Sequence, residues 1–330
     1  MVIRHPDMGT VSIMSDTGDR IPITADGRLG PSHLHPGVRD PGYLERRGAL
    51  SGLARGHLVG HPSPPVAYTD AEHATWRTVH TALEPALRAH ACQEILDARE
   101  EACIPADRIP QHTEVGAVLK ARTEFDFTLA GGFVNNRRFF ESLGRGFFHA
   151  VQFVRHPAVP LYTPEPDVIH DVFGHGVHLV SPRFADLYRL IGRTAQRLHT
   201  KEALELLSRV YWYTLEFGVL TQTGHVKAYG AALLSSYGEI RKLPQCEIRA
   251  WNVCAMAKTP YRAAGYQPFL FATRSLNHLT DALTAFCEAF DDDTGPRLGL
   301  RPVSSPHPPI SCPTGPSEPR NASSPPSTSR

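Results

Sequence analysis

Net charge is almost absent from this 330-residue sequence, with Lys and Arg numbering 34 against 33 Asp and Glu. A chain so balanced has no broad field with which to attract nucleic acid or an anionic membrane. Long apolar runs are missing too, and no stretch approaches the roughly 20 residues that a membrane helix needs. Met1 to Met14 carries no apolar run behind its basic residue, so no secretory signal is expected. The six cysteines (Cys92, Cys103, Cys246, Cys254, Cys287 and Cys312) show no zinc-like C-x-x-C spacing. Without a secretory signal they read as free thiols of a reducing cytosol, and Asn321-Ala322-Ser323 reads as a chance match to a glycosylation site. Aromatic residues vanish from Arg301 to Arg330, where Pro and Ser dominate. Such a segment buries too little apolar surface to offset its ordering entropy, so disorder is expected there. No internal repeat is visible.

What remains is long enough for a sizeable core. Residues 1–33 are polar and Gly-punctuated, with a short hairpin expected around Thr10 to Thr24. Thr69 or Asp70 caps a helix whose apolar residues Trp76, Val79, Leu83 and Leu87 recur at helical spacing. Further helices are expected over Cys92 to Ala102, after a cap at Ile104-Pro105-Ala106-Asp107, and over Val115 to Ala121, Arg137 to Leu143, Pro182 to Leu198, Glu202 to Phe217 and Leu276 to Phe290. Strands are expected at Phe125 to Leu129, Phe147 to Val154 and Phe269 to Phe271.

The chain is organised around Tyr162 to His175, which packs two histidines, three carboxylates and two prolines into fourteen residues. A second stretch, Tyr211 to Gly218, places Glu216 inside an apolar run. A carboxylate beside a core-facing stripe is costly unless it is paired or ligating. Either it meets an arginine such as Arg209 or Arg155, or it joins His170 and His175 around a metal. Two imidazoles and one carboxylate with open opposite positions form the non-haem iron(II) arrangement. His170 and His175 are five apart, about 140° around an ideal helix. They cannot share a face of an unbroken one, so a break at Gly174 and Gly176 is expected, with His170 near a helix end and His175 just past it. The H-E-x-x-H zinc pattern has its histidines four apart and does not match.

Tyr162-Thr163-Pro164-Glu165-Pro166-Asp167, His170-Asp171-x-x-Gly174-His175 and Tyr211-Trp212-x-Thr214-x-Glu216-Phe217-Gly218 together resemble the catalytic signature of the pterin-dependent aromatic amino acid hydroxylases. The resemblance continues through His35-Pro36-Gly37, Arg46-Arg47, Ile109-Pro110-Gln111, Lys227 to Ala231 and Leu234 to Glu239, in order over residues 34 to 290. It implies a mostly α domain with a few short β-strands over 34–292, between an N-terminal extension (1–33) and a Pro/Ser tail (293–330). It implies iron(II) on His170, His175 and Glu216. The substrate's amino-acid carboxylate would fall on Arg155, with Thr163 and Ser235 nearby and Trp212 in the substrate pocket. A guanidinium is the natural bidentate partner for that group. Tetrahydrobiopterin or a related tetrahydropterin would fall on Gly132, Phe133, Val134 and Asn136 (backbone), Phe139 and His149 (stacking) and Asp171. Tyr211 matches a tyrosine near the iron. Ser235 and Glu239 are expected to orient a ligating histidine by hydrogen bonds. His178, His225 and the other histidines receive no role and read as surface or loop residues.

The implied reaction is hydroxylation of an aromatic amino acid's ring, with O₂ as co-substrate. Arg262 to Tyr266 lacks the acidic residue of tyrosine hydroxylases, which disfavours tyrosine. Phenylalanine is expected, with tyrosine as product, then tryptophan or meta attack. No heptads follow the domain and only about 30 residues precede it, so a monomer, or at most a weak dimer, is expected, in the cytosol that the absent signal implies. A 2-oxoacid dioxygenase would carry a carboxylate at position 172, which is Val. A non-catalytic binding relative would be expected to have lost a ligand or Arg155, and none is lost.

Overall fold

The computed structural model describes residues 20–261, 265–297 and 299. The tail beyond 300, most of the expected Thr10 to Thr24 hairpin, and Arg262 to Ala264 of the substrate-preference segment lie outside them. The described hairpin pairs β1 (Arg20–Pro22) with β2 (Leu29–Pro31), antiparallel. Its Ile21 is buried against Val159 and Tyr162.

Helices dominate, and several begin where their caps predict. The Asp40 carboxylate accepts the Tyr43 N–H at the start of α1 (Pro41–Gly52). Thr69 and Glu72 close a capping box on α2 (Asp70–His90), whose Trp76, Val79, Leu83 and Leu87 are all buried. α3 (Gln93–Ala102) and α4 (His112–Thr123) follow. The helix expected after Ile104 to Asp107 does not form. Cys103, at φ 49°, ends α3, and α2 then holds the connection open. Trp76 donates to the Pro105 carbonyl at 2.9 Å and Arg77 to the Asp107 carbonyl at 3.0 Å.

β3 (Asp126–Leu129) and β4 (Phe147–Ala150) pair parallel around α5 (Asn136–Gly144). The strand expected to reach Val154 stops at Ala150 because carboxylates replace its ladder. Val151 N–H donates to Asp171 at 2.7 Å and Arg155 N–H to Asp167 at 2.8 Å.

The organising stretch then forms one continuous helical rod. α6 (Val168–His170), capped by Asp167, runs into a π-helical segment (Asp171–Gly176) and on into α7 (Val177–Val180). The expected break is therefore a widening. α8 (Pro182–Gln196) and α9 (Lys201–Tyr211) follow, and α9 also widens, into a second π segment (Trp212–Glu216). Trp76 stacks on Phe173 at 4.7 Å, tying the first π segment into the main core.

β5 (Val219–Gln222) and β6 (His225–Ala228) turn at Thr223 and Gly224, both with positive φ. With β7 (Glu247–Ala250) and β8 (Phe269–Thr273) they form a sheet of order β6-β5-β8-β7. Short helices α10 (Ala231–Ser235), α11 (Tyr237–Lys242) and α12 (Val253–Lys258) bridge the sheet to the core, and α13 (Leu276–Ala289) and α14 (Thr294–Arg297) close it. The fold is mostly α with a few short strands. Among the described residues no helix is long and apolar enough to cross a membrane.

Candidate metal centre and active site

A π turn spans five residues per hydrogen bond, so side chains five apart return to one face. That geometry turns His170 and His175 the same way, and in the second segment does the same for Tyr211 and Glu216. Three atoms able to bind a metal converge as a result. His170 Nε2 lies 2.9 Å from His175 Nε2, and the Glu216 oxygens lie 3.2 Å from His175 Nε2 and 3.8 Å from His170 Nε2. The arginines that could have claimed Glu216 are engaged elsewhere, Arg209 with Glu205 and Arg155 with Asp167.

The donor set fits a divalent metal. Ser235 donates back to the Ala231 carbonyl at 3.0 Å, so its oxygen accepts from His170 Nδ1–H at 2.8 Å. The His170 Nε2 lone pair then faces inward. Burial, then the neighbouring His175, pushes His170 down to about 4, which keeps the ring neutral. Lone pairs and a carboxylate crowded together repel unless a cation lies between them. Ligands at about 2.1 Å on adjacent positions of one ion would stand about 3 Å apart. Two histidines and one carboxylate suit non-haem iron(II).

On the proposed substrate side, Arg155 is buried rather than a surface charge and is held by both Asp167 oxygens. Asp167 also caps α6 through the His170 N–H, at 3.1 Å. One carboxylate thus fixes Arg155 relative to the ligand helix. Trp212 stacks on Tyr261 at 4.3 Å and leans on Phe217 at 4.8 Å. Thr163 makes a turn contact, donating to the Glu165 carbonyl at 2.9 Å. Among the described residues Glu239 reaches no histidine. It accepts the Gln267 backbone N–H at 2.9 Å, so of the two expected orienting residues Ser235 alone touches His170.

On the proposed pterin side, Gly132 has φ 151°, and a Cβ there would meet open space. Phe133 is 65% exposed, Val134 packs against the cluster of Leu50, Val66, Ala130, Val151 and Phe153, and Asn136 opens α5. Phe139 lies 6.5 Å from His149 between ring centroids. His149 Nε2 pairs with Ser142 at 3.0 Å, while its buried Nδ1 has no partner among the described residues, a polar position that a bound heterocycle would satisfy. Asp171 is buried and takes the Val151 N–H; burial pushes its carboxyl well above the usual range. Tyr211 is enclosed beside Glu216 and Tyr188, its hydroxyl pushed up by burial and then by Glu216.

Three neighbours of His175 escaped the sequence reading. Phe148 stacks on its ring at 4.2 Å, and Tyr188 meets its Nδ1 at 2.6 Å. His178, read as a surface or loop residue, is completely buried behind Tyr188, and burial, then His175, pushes it down to about 3. His225, by contrast, is exposed as expected. The spacing of His178, three residues after His175, was the available signal once a continuous helix is assumed.

Residues 23–295 match the family described as biopterin-dependent aromatic amino acid hydroxylase. The chain is 39% identical over 260 residues to a phenylalanine 3-hydroxylase of Streptomyces coeruleorubidus, covering 79% of this chain and 93% of that one. It is 38% identical over 287 residues to the tyrosine 3-monooxygenase of Bos taurus, covering 83% of this chain and 58% of that one. A phenylalanine hydroxylase structure from Chromobacterium violaceum, with iron(III) and 7,8-dihydrobiopterin bound, superposes with a TM-score of 0.65 at 28% identity, over 75% of this chain and 94% of that one. The chain therefore belongs to the biopterin-dependent aromatic amino acid hydroxylases and is an aromatic amino acid monooxygenase whose cofactors are iron(II) and a tetrahydropterin.

Proposed function

We propose that the substrate is phenylalanine and that His170, His175 and Glu216 hold the iron. The observation carrying this reading is the convergence of those three side chains from the end of α6 and the two π segments, with a buried arginine fixed to the cap of α6. Iron and tetrahydropterin together supply the activation of O₂. The chain's own residues position the reactants. Arg155 uses two of its five N–H donors on Asp167, leaving others for a substrate carboxylate. Trp212, backed by Tyr261, offers an apolar wall for the ring. Gly132 to Asn136, Phe139, His149 and Asp171 cradle the pterin. Para attack, giving tyrosine, is the first reading. Meta attack is the second, favoured by the Streptomyces phenylalanine 3-hydroxylase.

The test is a chromatographic assay on protein loaded anaerobically with iron(II), given tetrahydropterin and O₂, and offered phenylalanine, tyrosine and tryptophan separately. Phenylalanine is expected to turn over fastest, and the product names the ring position. Faster turnover of tyrosine or tryptophan per bound iron would overturn the assignment.

A cytosolic monomer, with a catalytic unit over 34–292 between an N-terminal extension and a tail, belongs to the same proposal. The unpaired state of all five described cysteines supports a reducing compartment. A tetramer by light scattering would remove the monomer.

A further inference from the structure

His178 and Tyr188 form a path of hydrogen bonds from a backbone carbonyl to the candidate metal centre. His178 Nε2 meets the Tyr229 carbonyl, His178 Nδ1 lies 2.9 Å from the Tyr188 hydroxyl, and that hydroxyl lies 2.6 Å from His175 Nδ1. All three side chains are buried.

The proton positions follow from chemistry alone. A carbonyl oxygen only accepts, so His178 Nε2 carries a hydrogen. Among the described residues the fully buried His178 has no hydrogen-bonded carboxylate, so a second proton would leave an unpaired buried cation. His178 Nδ1 is therefore a bare acceptor, and the Tyr188 O–H must donate to it. With its single proton spent there, Tyr188 can only accept from His175, whose hydrogen is placed on Nδ1. We propose that Tyr188 and His178 are positioning residues, a two-membered relay that locks His175 in its Nδ1–H tautomer and aims its Nε2 lone pair at the metal. The inference rests on the reading that His175 is a ligand.

The surroundings make the relay rigid. His178 stacks on Phe184 at 4.4 Å with ring planes 7° apart, and Tyr188 is wedged edge-on between Phe125 and Phe148. A ligating histidine whose second nitrogen is held by a fixed partner loses about 10–100-fold in metal affinity when that partner goes.

The test reads the tautomer before any metal is added. Two-bond proton–nitrogen correlations on the full-length protein at mildly alkaline pH, with His175 assigned from a His175→Gln spectrum, distinguish Nδ1–H from Nε2–H. The wild type is expected to show Nδ1–H at His175, and Tyr188→Phe to show a mixture. His178→Phe, which keeps the stack on Phe184, should also release the tautomer. Cobalt(II) titration of the same proteins should show affinity lower by about 10–100-fold in each variant. The double variant should be no weaker than Tyr188→Phe alone, because His178 acts through Tyr188. A wild-type His175 that carries its proton on Nε2 and none on Nδ1, or a Tyr188→Phe protein that keeps both tautomer and cobalt affinity, overturns the proposal. If Tyr188→Phe fails to fold, the wild-type spectrum and His178→Phe decide. Nδ1–H in a wild type that binds no cobalt would uphold the lock and remove the reading of His175 as a ligand.

Discussion

The Asp167 carboxylate holds Arg155 at three points, accepting its backbone N–H at 2.8 Å, its Nε–H at 2.9 Å and an Nη2–H at 2.8 Å. Both side chains are almost wholly buried, 3% exposed for Arg155 and 0% for Asp167. The same carboxylate takes the His170 N–H, so a single residue sets the proposed carboxylate-binding arginine against the ligand helix.

Asp167→Asn should therefore disturb substrate binding more than turnover. Losing one partner of a buried pair costs about 3–5 kcal/mol, and the freed guanidinium loses its orientation. Steady-state kinetics should show KM for the amino acid rising by at least about tenfold, with a smaller change in kcat and a lower Tm. An unchanged KM would show that Arg155 does not hold the substrate.

Gly174→Ala tests the packing behind the first π segment. A Cβ at this position would stand 2.5 Å from the Ala231 carbonyl oxygen, a backbone atom that cannot swing away. Either α10 retreats, carrying Ser235 away from His170, or the segment rewinds. Thermal unfolding should register a loss of about 2–4 kcal/mol, and metal affinity should drop with it. A variant with wild-type Tm and affinity would mean that the contact relaxes freely.

Ser235→Ala removes the acceptor beside His170 Nδ1 and little else. Cobalt(II) affinity should fall by about 10–100-fold with the fold intact. Retained affinity would show that His170 needs no outer partner.

Burial raises Glu239 from 4.5 to about 7, opposed only in part by the Gln267 N–H and by Lys242. Between those two values the folded protein holds a proton that the unfolded chain has released, so this group's contribution to stability falls as pH rises through the window. Glu239→Gln keeps an acceptor for the Gln267 N–H and removes the titration. The stability difference in the variant's favour should grow from about pH 4.5 to about 7, by up to about 3 kcal/mol, and stay flat above. Denaturant melts across that range that run parallel would contradict this.

Much of the site was legible because its residues lie in two short stretches whose chemistry is unusual. A carboxylate in an apolar run and a His pair beside it needed no tertiary information. The helix over Asp70–His90 was likewise written in Thr69, Glu72 and the buried stripe from Trp76 to Leu87. The π widening was not legible, because ideal-helix geometry sets His170 and His175 apart; only the continuous backbone shows the wider turn with its hydrogen bonds five residues apart. β4 stopped short because Asp167 and Asp171, distant from it in sequence, take its N–H groups. β5, β6 and β7 are too short to alternate visibly. His178 was misread because its spacing from His175 signals a shared face only on a continuous helix, where a break was expected, and its burial depends on Tyr188 and Phe184 from the next helix.

Anaerobic equilibrium dialysis against iron(II) asks whether His170, His175 and Glu216 hold one metal ion. The wild type should bind one iron per chain, and His170→Ala, His175→Ala and Glu216→Ala should each bind far less while remaining folded by circular dichroism. Wild-type stoichiometry and affinity surviving in any of the three folded variants would contradict the account.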